Sequence, residues 1–282
     1  MVESPASMID VVINKPFDFC LLIPCHNNFE GLILSLKTVN YFPARYILLI
    51  VDDGSEVSVT SEKIKSLVDL QCDLFILRNE TNKGITDALN KGLKWIEENN
   101  ICKFVARLDC GDQCDRDRFY KQMEYLGAHP DIGLLGSWCT FEDKSSSFRY
   151  LYKTPSQHAQ IKKAMYFRNV FIHPTVIFKT ELLKKAGYYP TDFNHAEDYA
   201  FFWQLTKITD THILSELLVA CEINDKGISL KNRRAQLTSR RKIIARYGTN
   251  TFLKTSGIFR IWVLLLLPKR LVLLLRKLVN KQ

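Results

Sequence analysis

The sequence predicts an α/β protein with a mostly parallel sheet that is covered by helices on both faces. Apolar runs of strand length alternate with segments of helical length through about residue 140. These runs are continuously apolar, which is typical of strands buried on both faces of a parallel sheet. Two of them end in carboxylates and glycine, a composition that favours a turn at the carboxyl end of a strand. With 282 residues, of which 46% are hydrophobic, the chain can bury a sizeable core.

The expected elements follow one another in regular order. Strands are expected at residues 19–23, 46–51, 73–77, 103–108 and 132–138. Helices are expected at residues 29–40, 61–70, about 85–98 and 115–126. Helices of crossover length between short apolar strands are typical of βαβ units. Beyond residue 140 the alternation is less regular, and a basic helix is expected at 229–247.

Carboxylates directly follow two of the expected strands. Asp52 and Asp53 follow the second strand, and Asp109 and Asp112 follow the fourth. Ligands of open α/β sheets bind just beyond the carboxyl ends of the strands. Carboxylates in that place predict a site for a nucleotide and a cation. The pattern is typical of an enzyme.

The cysteine pattern and the first residues narrow the class of protein. The eight cysteines lack paired Cys-x-x-Cys spacing, so neither a zinc site nor a disulfide framework is expected. The first 18 residues lack a basic segment followed by an apolar one, so no secretory signal is expected. A reducing cytoplasm fits these features best.

The net charge of +9 is unevenly divided along the chain. From Lys226 to the last residue there are 15 Lys and Arg and no Asp or Glu, so this tail carries +15 and residues 1–225 carry −6. Such asymmetry predicts a tail that meets an anionic surface, either nucleic acid or lipid headgroups.

Six motifs along the chain together resemble the glycosyltransferases of family 2. They occur in the family's order and spacing, at Phe19–Asn28, Val51–Ser55, Arg78–Gly84, Ala88–Gly92, Arg107–Asp112 and Ala196–Asp198. Each motif alone is weak, but the ordered set is specific, and it covers roughly residues 19–230. The resemblance implies a GT-A fold, which is a Rossmann-like sheet flanked by helices. It also implies an inverting transferase that uses a nucleotide sugar.

The resemblance divides the chain into four parts. An N-terminal extension at 1–18 precedes a nucleotide-sugar-binding half at 19–140. An acceptor-binding half at 141–228 follows, and a basic amphipathic helical tail at 229–282 ends the chain. The Gln-x-x-Arg-Trp motif of polymerising relatives is missing, so one sugar per acceptor is expected.

By resemblance, residues around the first four strands bind the donor. They are Pro24, Cys25, His26, Asn27, Asp52, Asp53, Lys83, Gly84, Asp87, Arg107 and Asp109. Backbone N–H groups of the first strand-to-helix turn can meet a nucleotide, and Asp52 and Asp53 are expected to face the uracil and ribose. Two structural alternatives stay open. In the first alternative, one of the two carboxylates serves only the turn before Gly54. In the second, Asp87 only complements the dipole of its helix.

The acidic segment at 109–112 departs from the family pattern. The family usually has Asp-x-Asp-Asp here, and Gly111 stands at the third position, which commonly supplies a metal ligand. Asp109 and Asp112, with diphosphate oxygens and water, can still complete an octahedral Mg²⁺ or Mn²⁺ shell. The alternative for Asp112 is a cap of the helix expected at 115–126.

Two aromatic side chains are further candidates for the site. By resemblance, His173 contacts the metal or the diphosphate, and the alternative is a structural histidine in a turn fixed by Pro174. Trp138 ends an expected strand and is a candidate to pack against an acceptor sugar, although a large aromatic side chain there is more often part of the core.

Glu197 and Asp198 precede the apolar helical run at 199–205. An inverting transfer requires a carboxylate that takes the proton of the acceptor hydroxyl as that oxygen attacks the anomeric carbon. By resemblance Asp198 is this base, and Glu197 holds it or contacts the acceptor. The alternative is that both acids only complement the helix dipole.

The tail predicts a peripheral membrane anchor at residues 258–282. Its longest apolar run, 261–267, is far shorter than the roughly 20 residues of a membrane span. Past Pro268, cations and leucines fall on separate helical faces, with Trp262 at headgroup level. The cations are Lys269, Arg270, Arg276 and Lys277, and the leucines are Leu271, Leu274, Leu275 and Leu278. The alternative is a helix that packs in the core or forms a homodimer.

The sequence therefore predicts a transferase on the inner face of the cell membrane. It would move one hexose or N-acetylhexosamine from a UDP-sugar to a lipid-linked glycan, in the assembly of surface polysaccharide or lipopolysaccharide such as O-antigen. A capsule- or protein-directed transferase of the same fold is the alternative. A basic nucleic-acid-binding protein is disfavoured, because the positive charge is confined to a leucine-rich tail without a recognised nucleic-acid module.

Overall fold

A computed structural model describes residues 17–42, 45–143, 148–223 and 232–267. In these residues a nine-stranded mixed sheet runs through the molecule, with helices on both faces. The sheet has a parallel half, which the sequence predicted, and a second half of mixed direction. The predicted α/β class is confirmed.

The parallel half is formed by the first four strands of the chain. They are β1 (Phe17–Cys25), β2 (Tyr46–Asp53), β3 (Asp73–Asn79) and β4 (Cys102–Arg107), in the spatial order β3-β2-β1-β4. All three pairings among them are parallel. The connecting helices are α1 (Phe29–Leu36), α2 (Ser61–Lys65) and α3 (Ile85–Asn99). Every residue of β2 is buried, which explains why this strand reads as a continuous apolar run.

The second half adds five shorter or curved strands. They are β5 (Gln113–Cys114), β6 (Ile132–Glu142), β7 (Arg149–Tyr152), β8 (Ile177–Lys179) and β9 (Asp210–Glu222). β8 pairs antiparallel with both β4 and β6, and β6 pairs parallel with β9 across three register irregularities. The helices are α4 (Arg118–Ala128), α5 (His158–Met165), α6 (Leu183–Ala186) and α7 (Glu197–Ile208), with single 3₁₀ turns at His173–Thr175 and Thr180–Leu182.

Two hydrophobic cores lie on opposite faces of the sheet. Alternate residues of β1 face alternate cores, with Cys20 and Leu22 in one and Phe19 and Leu21 in the other. This two-sided burial is what the uninterrupted apolar strands predicted.

Two predicted helices end earlier than expected, and a hydroxyl side chain bonds back to the last turn of each. α1 was expected to reach residue 40, but Thr38 Oγ1 donates to the carbonyl oxygen of Ser35 at 2.7 Å. α2 was expected to reach residue 70, but Ser66 Oγ donates to the carbonyl oxygen of Lys63 at 2.9 Å. Each bond satisfies a carbonyl oxygen of the last turn that would otherwise lack an intrahelical partner.

The described chain ends in two helices, α8 (Arg233–Tyr247) and α9 (Thr251–Leu266). Tyr166 anchors the segment between these two helices, because its hydroxyl accepts hydrogen bonds from the backbone N–H groups of Thr249 and Asn250, both at 2.9 Å. α9 passes so close that a Cβ at Gly257 would lie 2.2 Å from the carbonyl oxygen of Tyr166. Within the described ranges, no helix is long and apolar enough to cross a membrane. Residues 268–282, which include the predicted cation and leucine faces, lie outside them.

Candidate active site

The candidate site lies beyond the carboxyl ends of β1, β2 and β4, where Asp52 and Asp53 end β2 and Asp109 follows β4. A cleft of about 430 Å³ opens between the β1–α1 turn and the loop after β2, which is within the range of small-molecule sites. Its lining residues are Asn27, Asn28, Phe29, Glu30, Ser55, Glu56, Val57 and Val59.

The two asparagines of the β1–α1 turn hold three loops together. Asn27 has a positive φ of 47°; its backbone N–H donates to Ser55 Oγ and its Oδ1 accepts from the N–H of Glu56, both at 2.9 Å. Asn28 caps α1 through Gly31 and also donates to the carbonyl oxygen of Cys110 at 3.2 Å. The turn therefore links the loops after β2 and β4. His26 is exposed beside it, and Cys25 is buried.

Asp52 is fully buried and bonded within the protein. Its carboxylate accepts from the N–H groups of Ser55 at 2.9 Å and Val59 at 3.1 Å, and it forms an ion pair with Arg78. Burial alone would raise the pKa of this carboxyl, but the bonds from Ser55 and Val59 and the charge of Arg78 lower it below its usual range. The bond from Ser55 belongs to the turn around Gly54, and the bonds from Val59 and Arg78 extend beyond that turn.

Asp53 plays a similar part for the loop after β3. It accepts from Asn79 Nδ2 at 2.7 Å and from the N–H groups of Lys83 at 3.0 Å and Gly84 at 2.8 Å. Only Asp52 thus bonds within the turn around Gly54, whereas Asp53 bonds across to β3 and the loop after it. The contact of either carboxylate with uracil and ribose stays a prediction. Lys83, Gly84 and Asp87 are exposed at the start of α3, where Asp87 complements the helix N-terminus.

Arg107 and His173 belong to one hydrogen-bonded network. Arg107 is 0% exposed; its Nε donates to His173 Nε2 at 3.2 Å and its Nη2 to Asp109 Oδ1 at 2.5 Å. The same His173 nitrogen lies 2.8 Å from the hydroxyl of Tyr189. Burial, and then the charge of Arg107, lowers the pKa of His173 to about 3, so the ring is neutral. Arg107 Nη1 also donates to the carbonyl oxygens of Leu22 and Leu108, so this guanidinium is bonded within the protein. The donor contact of Arg107 and the metal or diphosphate contact of His173 stay predictions.

The two acids expected to hold a cation differ in exposure. The Asp109 side chain is 32% exposed. Asp112 is buried and accepts from the backbone N–H of Glu222 at 2.8 Å. Burial, and then the charge of Asp109, raises the pKa of Asp112 to about 8. The helix-cap alternative for Asp112 is wrong, because α4 begins only at Arg118.

No group of three His, Cys, Asp or Glu side chains in the described residues is arranged to hold a metal ion. Asp109 nevertheless presents a partly exposed carboxylate, which is the type of oxygen ligand that Mg²⁺ and Mn²⁺ prefer. The chemistry of Asp109 is thus compatible with a cation, whereas Asp112 is buried.

The space that a side chain at position 111 would need is already filled by a carboxylate. Gly111 has a φ of +103°, and a Cβ added there would lie 2.4 Å from Glu222 Oε2. Its N–H donates to the carbonyl oxygen of Gly31 at 3.0 Å and to Ser35 Oγ at 2.9 Å, which fixes this backbone. Gly111 is therefore favoured by the local backbone conformation, and its role is more than the absence of a metal-binding side chain.

We expect Gly111→Asp to destabilise the protein and lower its activity. The variant would strain a backbone at positive φ by about 1–3 kcal/mol and bring a new carboxylate against Glu222. A thermal unfolding midpoint below that of wild type would confirm this. Gly127→Asp is the matched control, because no atom lies within 4 Å of a Cβ placed there. An unchanged midpoint for Gly111→Asp would contradict the steric account.

Asp198 and Glu197 form the first turn of α7. Asp198 Oδ1 accepts from the N–H of Tyr199 at 2.7 Å, and Oδ2 accepts from Asn169 Nδ2 at 2.9 Å. Burial, and then the charge of Glu197, raises the pKa of Asp198 to about 7. Burial also raises the pKa of Glu197. A carboxyl that titrates near neutral pH is well suited to general-base catalysis.

Trp138 is a packing residue in this structure. Its Nε1 donates to the carbonyl oxygen of Thr154 at 2.8 Å, and Lys153 Nζ lies 5.3 Å from the centre of its ring. The side chain packs against one of the hydrophobic cores. These contacts fit the core alternative, and packing of the ring against an acceptor sugar stays a prediction.

Sequence reasoning missed three residues that shape the site. Asn169 holds Asp198, Tyr189 closes the Arg107 network, and Glu222 occupies the space beside Gly111. None belongs to a motif, and Asn169 and Glu222 act on partners 29 and 110 residues away in the chain. Only the unusual glycine at position 111 gave a signal that a compensating group should exist.

The parallel sheet, the acidic strand ends and the carboxyl at the start of α7 are those of a GT-A glycosyltransferase. Residues 20–187 match the sequence profile of Glycosyl transferase family 2, and the chain belongs to this family.

Relatives and solved structures agree with this assignment. The chain is 27% identical over 252 residues to the amylovoran biosynthesis glycosyltransferase AmsE of Erwinia amylovora, covering 86% of this chain and 89% of AmsE. It is 31% identical over 163 residues to the Escherichia coli UDP-Gal:α-D-GlcNAc-diphosphoundecaprenol β-1,3-galactosyltransferase, covering 55% of this chain and 54% of that enzyme. The crystal structure of Staphylococcus aureus TarS 1–349 in complex with UDP-GlcNAc superposes with a TM-score of 0.64 at 17% identity, covering 87% of this chain and 72% of TarS.

Proposed function

We propose that this glycosyltransferase moves one hexose or N-acetylhexosamine from a UDP-sugar to a lipid-linked glycan, with inversion at the anomeric carbon. Surface-polysaccharide assembly is the proposed setting. The main support for the proposal is Asp198 at the start of α7. Its carboxyl group has a pKa of about 7 and accepts a hydrogen bond from Asn169.

The names of the two relatives support the choice of substrates. One acts in the biosynthesis of amylovoran, and the other is named for a UDP-sugar donor and a diphosphoundecaprenol-linked acceptor. The cleft beside Asn27 and Ser55 is the proposed binding site of the nucleotide, because it lies beyond the carboxyl ends of β1 and β2.

In the proposed reaction, Asp198 accepts the proton of the acceptor hydroxyl while that oxygen attacks the anomeric carbon from the side opposite the diphosphate. Asn169 orients the carboxylate through its bond to Oδ2. A divalent cation, Mg²⁺ or Mn²⁺, would be held by Asp109 and Asp112 and would offset negative charge on the leaving diphosphate. Glu197 keeps the pKa of Asp198 high through its own charge.

The rate of transfer is expected to rise with pH through about 7. The base works only when it is deprotonated, and the pKa of Asp198 is about 7. Below this value the protonated form dominates, so the rate should fall as the pH is lowered. Steady-state rates between pH 5.5 and 9 at saturating donor and acceptor measure the profile.

Glu197→Gln should shift this profile to lower pH. Removing the negative charge of Glu197 removes the second-largest cause of the raised pKa of Asp198. Glu181→Gln, an exposed acid on a 3₁₀ turn, is the control and should leave the profile unchanged. A Glu197→Gln profile that coincides with wild type would rule out Asp198 as the titrating group.

We also propose that the protein works at an anionic membrane surface on the cytoplasmic side. The support is the outer face of α9, where four large apolar side chains follow one helical stripe with exposed fractions of 78%, 68%, 49% and 81%. They are Phe252, Phe259, Trp262 and Leu266. The guanidinium of Arg241 lies 4.8 Å from the Trp262 ring, and no acid follows Lys226 in the sequence. Apolar and cationic groups in this arrangement suit an interface of anionic lipid.

Replacing Phe259 and Leu266 by Ser should weaken vesicle binding by about tenfold or more, because burial of one such side chain contributes roughly 1.5–3 kcal/mol. Sedimentation with phosphatidylglycerol vesicles is the measurement. Leu67→Ser, at an exposed leucine outside α9, is the control. A truncated variant for the same measurement should end at residue 267. Truncation at residue 258 would also remove Ile261, which is buried. Equal binding of the double variant and wild type would contradict the membrane role of α9.

The function is tested by incubating the protein with a panel of UDP-sugars, Mn²⁺ and a lipid-diphosphate-linked sugar. Release of UDP together with one added sugar on the acceptor, seen by mass spectrometry, is expected for at least one donor. UDP release without a glycosylated acceptor, or no release from any donor by folded protein, would overturn the proposal.

A further inference from the structure

Three arginines converge beside the start of α7. Arg240 of α8 and Arg260 of α9 both donate to the carbonyl oxygen of Phe167, at 2.9 and 2.8 Å. Their two guanidinium groups therefore flank a single oxygen atom. Arg168, which follows Phe167 in the chain, lies over the ring of Tyr152, with its guanidinium carbon 5.2 Å from the ring centre.

None of the three arginines forms an ion pair with a carboxylate in the part of the chain that the structure describes. Arg240 and Arg260 donate to a carbonyl, and Arg168 donates to the carbonyl oxygen of Lys153 at 3.3 Å. The Nε of Arg240 is buried and has no partner there. Burial, and then the charges of Arg240 and Arg168, lowers the pKa of Arg260. Clustered like charges of this kind repel one another, so an anion that binds between them would gain from all three.

The cluster adjoins the proposed base through two residues of one segment. Phe167 anchors Arg240 and Arg260, and Asn169, two positions later, donates to Asp198. The charge of Arg240 also acts on Asp198, whose pKa it lowers against the larger effects of burial and Glu197. An anion at the arginines would thus lie beside the carboxylate that faces the acceptor.

We propose that Arg168, Arg240 and Arg260 form a binding site for a phosphate group of the acceptor. Guanidinium groups bind phosphate oxygens through paired N–H donors, and Arg240 Nε is a donor that awaits such a partner. The cluster comes from α8, α9 and the segment after α5, whereas the proposed nucleotide cleft lies at the β1–α1 turn. This assignment rests on the proposed function for its acceptor, but the site itself can be tested without sugar transfer.

The test is calorimetric titration of inorganic pyrophosphate into the full-length protein, with saturating UDP in the donor site and no divalent cation. Wild type should bind pyrophosphate. The double variant Arg240→Gln with Arg260→Gln should bind pyrophosphate at least about tenfold more weakly, which is a loss of about 1.4 kcal/mol or more in binding free energy. Arg168→Gln, which leaves both bonds to Phe167 intact, should weaken binding several-fold and covers the case in which the double variant does not fold.

Lys242→Gln with Lys254→Gln is the matched control, because it removes the same charge from the same two helices. Its affinity for pyrophosphate should stay within about twofold of wild type. Failure of UDP-loaded wild type to bind pyrophosphate, or equal affinities of wild type and the arginine variants, would overturn the site.

A second arm separates an acceptor phosphate from a lipid headgroup. All variants are sedimented with phosphatidylglycerol vesicles and with neutral phosphatidylcholine vesicles. Vesicle binding that is the same for the arginine and lysine double variants supports the acceptor. Selective loss of phosphatidylglycerol binding in the arginine double variant would assign the phosphate to a headgroup and overturn the acceptor assignment. If pyrophosphate binds as expected but no UDP-sugar is used, the proposed function fails and the site stands.

Discussion

Asp198→Asn is expected to reduce turnover by about 10²–10⁴, the usual cost of losing a general base, while the affinity for UDP stays near that of wild type. Asparagine has nearly the same shape, and its one oxygen can still accept from the N–H of Tyr199, while its NH₂ group can donate to Asn169 Oδ1 once the amide of Asn169 turns over. It cannot take a proton from the acceptor. The nucleotide cleft is lined by other residues, so donor binding should persist. Turnover and UDP affinity are measured on the same preparation.

Two further variants show whether Asp198 acts as this base. Asn169→Ala removes the bond that orients the carboxylate, so turnover should fall while the acceptor KM changes little. Glu197→Gln should be milder than Asp198→Asn at the pH optimum, since Glu197 acts through the pKa of its neighbour. If Asp198→Asn keeps a large share of wild-type turnover, another group takes the proton.

Asp109→Asn is expected to give the second-largest loss, on the order of 10²–10³ in turnover. Asp109 is the more exposed of the two acids proposed to hold a cation. The variant should also bind Mn²⁺ more weakly, which electron paramagnetic resonance measures without turnover. Loss of the ion pair with the buried Arg107 should lower stability as well, so thermal unfolding is recorded for each variant.

Asp112→Asn is the matched comparison for Asp109→Asn. Asp112 is buried behind Asp109 and its pKa is about 8, so part of it is already protonated at neutral pH. We expect a smaller effect on Mn²⁺ affinity than at Asp109. Full activity in excess chelator after metal-free preparation would contradict a cation requirement. Arginine or lysine would then have to stabilise the diphosphate.

The parallel half of the fold could be predicted from sequence because its strands are buried on both faces. A run such as 46–51 is apolar at every position only if both sides are covered, and this burial also directs the following acids to one edge of the sheet. The second half could not be predicted in the same detail. β6 and β9 pair across register irregularities, and β5 and β8 are two and three residues long.

Motif order predicted which residues gather at the site but not what each one does. Arg107 and His173 lie within family-like motifs, yet the structure also bonds them to each other across 66 residues of sequence. Asp52 and Asp53 bond to backbone groups of loops whose paths depend on the whole sheet. Such pairings depend on tertiary packing, which local composition does not encode.

The basic tail illustrates the same limit. Its 15 cations predict a uniformly positive surface, but the described ones divide into different roles. Arg233 donates to the carbonyl oxygen of Leu264, Arg241 lies against Trp262, and Arg240 and Arg260 meet at Phe167. Charge counting could not separate those that face a surface from those that gather beside Asp198.

The central claim is that Asp198 activates the acceptor for one displacement opposite the diphosphate. The most direct measurement is the anomeric configuration of the product formed from a UDP-α-sugar, read by proton NMR on the enzymatic product. One displacement by an activated acceptor oxygen predicts a β-linked sugar. An α-linked product would contradict the account, because it would require a second displacement or attack on the same face as the leaving diphosphate.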